Sequence, residues 1–142
     1  MKKCDWRSFS EVLQEAPHSP GIYEIRTGRK MLKVGIGGNL LKRLKQHAKS
    51  SQARLKGRNG SKLWRHPKDV TSKGSILAKH LYFDISITKR YDLRTEEGRR
   101  RFLNEKCQVR FEETKTREAA QLRERKMEAS KRYRYVGRVK EL

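Results

Sequence analysis

Two cysteines, Cys4 and Cys107, are all that the 142-residue chain contains. They are too few and too far apart for a disulfide framework or a four-ligand zinc site, and a reducing compartment is expected. No apolar run approaches the roughly 18 residues of a membrane span. The stretch MKKCDWRSFSEVL lacks the apolar centre of a secretory signal. The expected location is therefore the cytoplasm, with association to the nucleoid if the source is bacterial. Acidic residues are scarce: 16 Asp and Glu stand against 37 Lys and Arg, a formal charge of +21. Such self-repulsion makes a polyanion the expected partner. The cations are spread along the chain rather than gathered on one amphipathic helix, which favours nucleic acid over a membrane surface. DNA ranks above RNA, because no pair of aromatic RNA-reading strands is evident.

Hydrophobic residues make up only 34% of the chain, but they are patterned, and patterned apolar residues build a core. Trp6, Phe9, Val12 and Leu13 recur at helical spacing, with Ser8 or Asp5 to cap a short helix that ends before His18. Residues 21–26 and 31–36 read as two strands around Thr27-Gly28-Arg29-Lys30, a β-hairpin. Asn39 is suited to cap the next helix, whose apolar stripe is Leu40, Leu41, Leu44 and Ala48. Residues 50–75 form a basic insertion, flexible or partly helical. Leu81, Phe83, Ile85 and Ile87 alternate with polar residues, as in a half-buried strand. Thr95 starts a helix leading to Phe102 and Leu103. Cys107, Val109 and Phe111 alternate again. Thr116 caps a helix to about Ser130, and Tyr133, Tyr135, Val136 and Val139 suit a returning strand. The expectation is one α+β domain spanning 1–142, with a small, largely antiparallel three-stranded-core sheet flanked by helices.

The chemistry gathers in one stretch. Pro20-Gly21-Ile22-Tyr23 is followed by Lys33-Val34-Gly35, then Asn39-Leu40, Arg43 and His47. A turn centred near Gly28 places Tyr23 opposite Lys33. Asn39, Arg43 and His47, spaced four and four, form one stripe beside the Leu40/Leu44 stripe. Tyrosine, lysine, arginine and histidine then converge where hairpin meets helix. Cations hold a phosphodiester there, and a phenolic oxygen can handle the nucleophile's proton. Singly, each residue has an ordinary reading: a packed strand tyrosine, solvated cations, a surface histidine.

In joint register these residues resemble the GIY-YIG nucleases, whose pattern is GIY, about ten residues, YIG, then N-L-x-x-R-x-x-x-H. The second tyrosine of that pattern is Lys33 here, and its serine-like position is Gly37. A lysine can bind phosphate and, by its charge, lower a neighbouring phenol's pKa. The family's later helix supplies a metal-binding carboxylate, often in T-x-T-x-x-x-A-x-x-x-E with an apolar residue three further on. Thr114, Thr116, Ala120, Glu124 and Met127 match, so Glu124 is the expected ligand. Glu118 is the second choice, since a first-turn carboxylate also simply complements the helix dipole. The family's asparagine after this helix is absent; Tyr135-Val136 stands there.

The resemblance implies a metal-dependent DNA endonuclease of repair, restriction or mobile-element type, using one Mg²⁺ or Mn²⁺. It implies one strand cut per site, so that cutting both strands calls for a homodimer. Tyr23 would be the base, Arg43 would stabilise the transition state with Lys33 and His47, and Glu124 would hold the metal. Arg54, Lys56, Arg58, Lys62 and Arg65 flank Trp64 and, with Asn39, are expected to contact DNA. The alternative is a non-catalytic nucleic-acid binder on the same scaffold. The turn Gly35-Ile36-Gly37-Gly38 before a helix also resembles a phosphate cradle, without the lysine and serine of a P-loop.

Overall fold

A computed structural model describes residues 5–48, 56–60, 69–71, 76–84 and 90–135. They fall into two compact units, the first within residues 1–45 and 103–136, the second within 46–102.

The first unit carries the sheet. Strand β1 (Arg7–Ser8) runs into helix α1 (Phe9–Glu15), capped by the Ser8 hydroxyl, which accepts from the Glu11 N–H. Strands β2 (Gly21–Thr27) and β3 (Lys30–Gly37) form the expected hairpin. Gly28 turns it at φ +57, a conformation that glycine takes without a Cβ penalty. Helix α2 (Leu40–Ala48) follows directly. Strand β6 (Cys107–Glu113) pairs with β2 and β1, and helix α5 (Arg117–Ala129) packs on β3 and β2. The sheet is wholly antiparallel, in the order β1-β6-β2-β3. Its core is the β6-β2-β3 trio, with β1 as a two-residue addition. Centrally placed β2 is buried on both faces from Gly21 to Ile25. One cluster joins Ile22, Val34 and Tyr133 with Met31, Ile36 and Met127.

The hairpin register differs from the expected one. Tyr23 lies opposite Gly35, and Lys33 opposite Ile25, with an irregularity between Ile25 and Arg26. The slip is two residues, so Lys33 stays on Tyr23's face. Past α5, Arg134 N–H donates to Met31 O (2.9 Å) and Tyr135 N–H to Leu32 O (2.7 Å). The expected return to the sheet is thus an irregular strap along β3 through Tyr135; Val136 and Val139 lie outside the described residues.

The second unit includes a short ribbon of β4 (Lys56–Gly57) and β5 (Val70–Thr71), a 3₁₀ turn (Arg58–Gly60), helix α3 (Ile76–Phe83) and most of helix α4 (Glu96–Lys106). The described part of the basic insertion is therefore ribbon and 3₁₀ turn rather than α-helix. Helix α3 corrects the strand expected from Leu81 onward. Leu77, His80 and Leu81 are buried at i, i+3 and i+4, the helical spacing. Ile85 and Ile87 lie outside the described residues. Thr95 does start α4, its hydroxyl accepting from Gly98 N–H at 3.0 Å. Arg99 is 2% exposed and donates Nε–H to His47 O at 2.7 Å. No helix among the described residues is long and apolar enough to cross a membrane.

Candidate active site

Tyr23 projects from the middle of β2 and is 1% exposed. The β3 residue opposite it is Gly35, where any Cβ would collide with the phenol ring and its hydroxyl. A glycine there is a condition for seating this tyrosine. The phenol is hydrogen-bonded to the Arg43 side chain, one turn into α2. Arg43 in turn lies against Gly37: a Cβ added there would come within 2.8 Å of Arg43 Cβ. The glycines that interrupt the end of β3 are thus the space in which the tyrosine and arginine meet.

Helix α2 is capped as expected. Asn39 Oδ1 accepts from Lys42 N–H at 3.0 Å. Leu40 N–H donates to Ser19 O, Leu41 N–H to Pro17 O and Arg43 N–H to Asn39 O. All four N–H groups of the first turn are therefore spent within the protein. The phosphate cradle suggested by the glycines before α2 is not available through these backbone donors.

From α5, Glu124 faces the same cluster. Its charge acts on Tyr23 and on Lys33. Burial and the neighbouring Glu128 carboxylate raise its pKa, opposed by Lys33, Arg43 and Arg117. Met127, docked against Ile22 and Val34, and the Arg123–Glu112 ion pair fix the helix on the sheet. Glu118 is exposed in the first turn, after the Thr116 cap. Tyr23, Lys33, Arg43 and Glu124 are thereby brought together.

The electrostatics correct one expectation. Burial pushes the Tyr23 phenol up to about 12 and outweighs the lowering by Arg43, while Glu124 raises it further. Lysine was expected to make the phenol more acidic, and the net direction is the opposite. Lys33 itself is pushed down from the usual lysine value, by burial first and by Arg43 second, with Glu124 and Glu128 opposing. Desolvation dominates both groups, and in each it favours the neutral form.

Of the other expected residues, His47 is fully buried, in line with Leu40 and Leu44 at i, i+4 and i+7 rather than on the Arg43 flank. Lys56 begins β4 and Arg58 is exposed in the 3₁₀ turn. Arg54, Lys62, Trp64 and Arg65 lie outside the described residues. Arg117 and Glu128 were missed. Spacings of seven and four from Glu124 on one helix were the signal that places them on its stripe.

Among the described residues no group of three or more His, Cys, Asp and Glu side chains could hold a metal ion. The donor set of one half-buried carboxylate with a second one turn on fits a hard cation that takes its remaining oxygens from phosphate and water, as Mg²⁺ does. It does not fit a structural zinc site.

No protein-family model matches the chain, and no curated protein does. Among solved structures it is similar to the GIY-YIG N-terminal endonuclease domain of UvrC from Thermotoga maritima, a point mutant bound to its catalytic divalent cation. The identity is 14% and the TM-score 0.47, over 92% of this chain and 96% of that one. A likeness at this level transfers no chemistry, which rests on the side chains just described.

Proposed function

We propose that this chain is a divalent-metal-dependent endonuclease of GIY-YIG type that hydrolyses phosphodiester bonds in DNA. One observation carries the reading: a hydrogen-bonded Tyr23–Arg43 pair sharing its field with Lys33 and Glu124, assembled from a hairpin and two helices. The motif register from Gly21 to Arg43 and the net charge of +21 support it.

Arg43 donates to the Tyr23 oxygen, and in this reading it would meet the charge that develops on an attacked phosphate, where a preorganised cation lowers a barrier most. Lys33 adds a second cation on the same strand face. In the resting state Tyr23 is a neutral phenol, so it orients the attacking water. To take the water's proton it must first lose its own to solvent, and Arg43 lowers that cost by charge and by hydrogen bond. Lys33, whose pKa burial lowers, is the second group able to accept that proton if it gives up its own instead of serving as a cation. Glu124, with Glu128 beside it, would hold one Mg²⁺ or Mn²⁺, which when bound supplies Lewis-acid polarisation of a phosphoryl oxygen. His47 presents no exposed ring and takes a structural part in this reading.

One site of this kind cuts one strand, so a double-strand break requires two copies about a two-fold axis. The test is nicking of supercoiled plasmid in Mg²⁺, in Mn²⁺ and in EDTA. Nicking in either metal and none in EDTA is expected. The second reading, a binder without catalysis, is favoured by the same burial that keeps Tyr23 protonated. It predicts EDTA-insensitive binding and no nicking in any metal.

A further inference from the structure

Arg117 occupies the first turn of α5, where the positive end of the helix disfavours a cation. It is exposed, and among the described residues its guanidinium makes no ion pair and no hydrogen bond. Its charge acts on Glu124, two turns along the helix. Its side chain lies over the loop before α2: a Cβ added at Gly38 would meet Arg117 Cδ at 3.8 Å. Helix stability does not account for an arginine there.

The next residue of that loop, Asn39, holds His18. Because Asn39 Oδ1 accepts from Lys42 N–H, its Nδ2 is the atom turned to His18 Nδ1, at 3.2 Å. An amide nitrogen donates, so Nδ1 accepts, and the neutral imidazole carries its proton on Nε2. His18 is exposed. A cationic fork thus lies over Gly38 and a fixed N–H donor is held by the next residue, Asn39, beside the Gly37–Arg43 contact of the candidate active site.

We propose that Arg117 and His18 form a second phosphate subsite, which grips the DNA backbone phosphate next to the one being cleaved. This rests on the nuclease reading for the identity of the strand but not on cleavage itself. The backbone donors of α2 are already used, so the grip is made by side chains. Arg117 supplies the charge and a bidentate geometry, and His18 a single neutral hydrogen bond. The counter-dipole position of Arg117 then has a cause: a cation that costs the helix stability gains a ligand.

The test is anisotropy of the full chain on a short fluorescein-labelled DNA duplex in EDTA, over a series of salt concentrations, with urea unfolding alongside. Arg117→Gln is expected to weaken binding roughly tenfold and to make the slope of log K against log salt shallower by about 0.9, one counterion. Arg117→Lys should restore the slope. His18→Ala is expected to lose about threefold at unchanged slope. The unfolding midpoint of Arg117→Gln should stay level or rise, because the helix dipole is relieved. An unchanged slope in Arg117→Gln, or a midpoint that falls with affinity, overturns the subsite. Full affinity in His18→Ala removes His18 from it. A wild-type chain that never nicks DNA while Arg117→Gln still loses one counterion overturns the nuclease reading and keeps the subsite. Nicking with an unchanged slope does the reverse.

Discussion

Tyr23 and Glu24 are neighbours in β2, face opposite sides of the sheet, and are each 1% exposed. Their surroundings differ. Glu24 accepts from Arg110 Nε (2.7 Å) and from the Tyr133 hydroxyl (2.6 Å). The Arg110 guanidinium, with that of Arg26, lies over the Trp6 ring at 4.5 and 4.1 Å. Arg110 pairs with one carboxylate oxygen and the Tyr133 phenol takes the other, so both oxygens are held by direct partners. Around Tyr23, Lys33, Arg43 and Arg117 act on Glu124, with Glu128 beside it, three basic side chains to two carboxylates. A closed network ties strands and strap together. An open one, with cations in excess and carboxylates crowded together, holds charges that a bound phosphate and metal would balance. Buried ionisable groups are equally conspicuous in both places, and what separates structure from chemistry is whether a carboxylate has both oxygens held by direct partners.

The largest expected effect breaks the open side. Glu124→Gln should abolish metal-dependent nicking, a loss on the order of 10³ or more. DNA binding in EDTA should hold or tighten, since one negative charge leaves the phosphate's vicinity. Normal nicking by this variant would move the metal ligand elsewhere. Glu24→Gln should act on the other ledger. It leaves Arg110 without its charge, at a cost of about 2–3 kcal/mol, below that of a fully buried pair because Arg110 keeps 27% exposure. Urea unfolding reads that loss, and nicking per folded molecule should be retained.

The two phenols sharpen the contrast. Tyr23→Phe keeps the ring against Gly35 and should slow nicking by roughly 10², with binding in EDTA nearly unchanged. Tyr133→Phe should cost about 1.5 kcal/mol through its hydrogen bond to a carboxylate and leave nicking alone. Equal nicking by Tyr23→Phe and wild type would pass the base role to Lys33. An alkaline titration of stability adds a check. The folded Tyr23 holds its proton to about 12, whereas the unfolded phenol releases it near 10. The unfolded state therefore binds fewer protons between those values, and stability falls as pH rises through that window. In Tyr23→Phe the decline should be shallower.

Much of the first unit was legible because its residues carry local signals. Alternation set the hairpin and β6. Ser8, Asn39 and Thr116 announced three helix starts that their side chains do cap. The glycines of β3 sat in a recognisable register with Tyr23 and Arg43. Register by counting from the turn failed at Lys33 by two residues: the turn centres between Gly28 and Arg29, and an irregular pairing adds one more residue that no propensity marks. The start of the strand expected from Leu81, Phe83, Ile85 and Ile87 was misread because their alternation satisfies period two, while Leu77 and His80, which disclose the helix over Ile76–Phe83, lay outside that window. His47 was placed with Asn39 and Arg43 by its spacing of four, but three residues past Leu44 it falls equally on the buried stripe, and burial is a tertiary outcome. The direction of the Tyr23 shift was beyond reach for the same reason. Charge neighbours can be inferred from spacing, but desolvation depends on what covers the group.

The smallest expected effect concerns the second carboxylate choice. Glu118 lies two residues past the Thr116 cap, exposed, on the first turn of α5. A negative charge there complements the helix dipole, which is worth about 0.3–1 kcal/mol when exposed and is screened by salt. Arg117 beside it opposes the same dipole, so the two partly cancel, and the lower half of that range is the expectation. Glu118→Gln should therefore lower stability by less than about 0.5 kcal/mol at low salt and by nothing measurable at high salt. It should leave Mg²⁺-dependent nicking at the wild-type rate. A metal ligand would respond in the opposite manner: nicking lost, stability unmoved by salt. Measured side by side with Glu124→Gln, this separates a carboxylate that faces the tyrosine and its cations from one that only caps a helix's field. A reversed pair of phenotypes would shift the expected ligand six residues toward the start of α5.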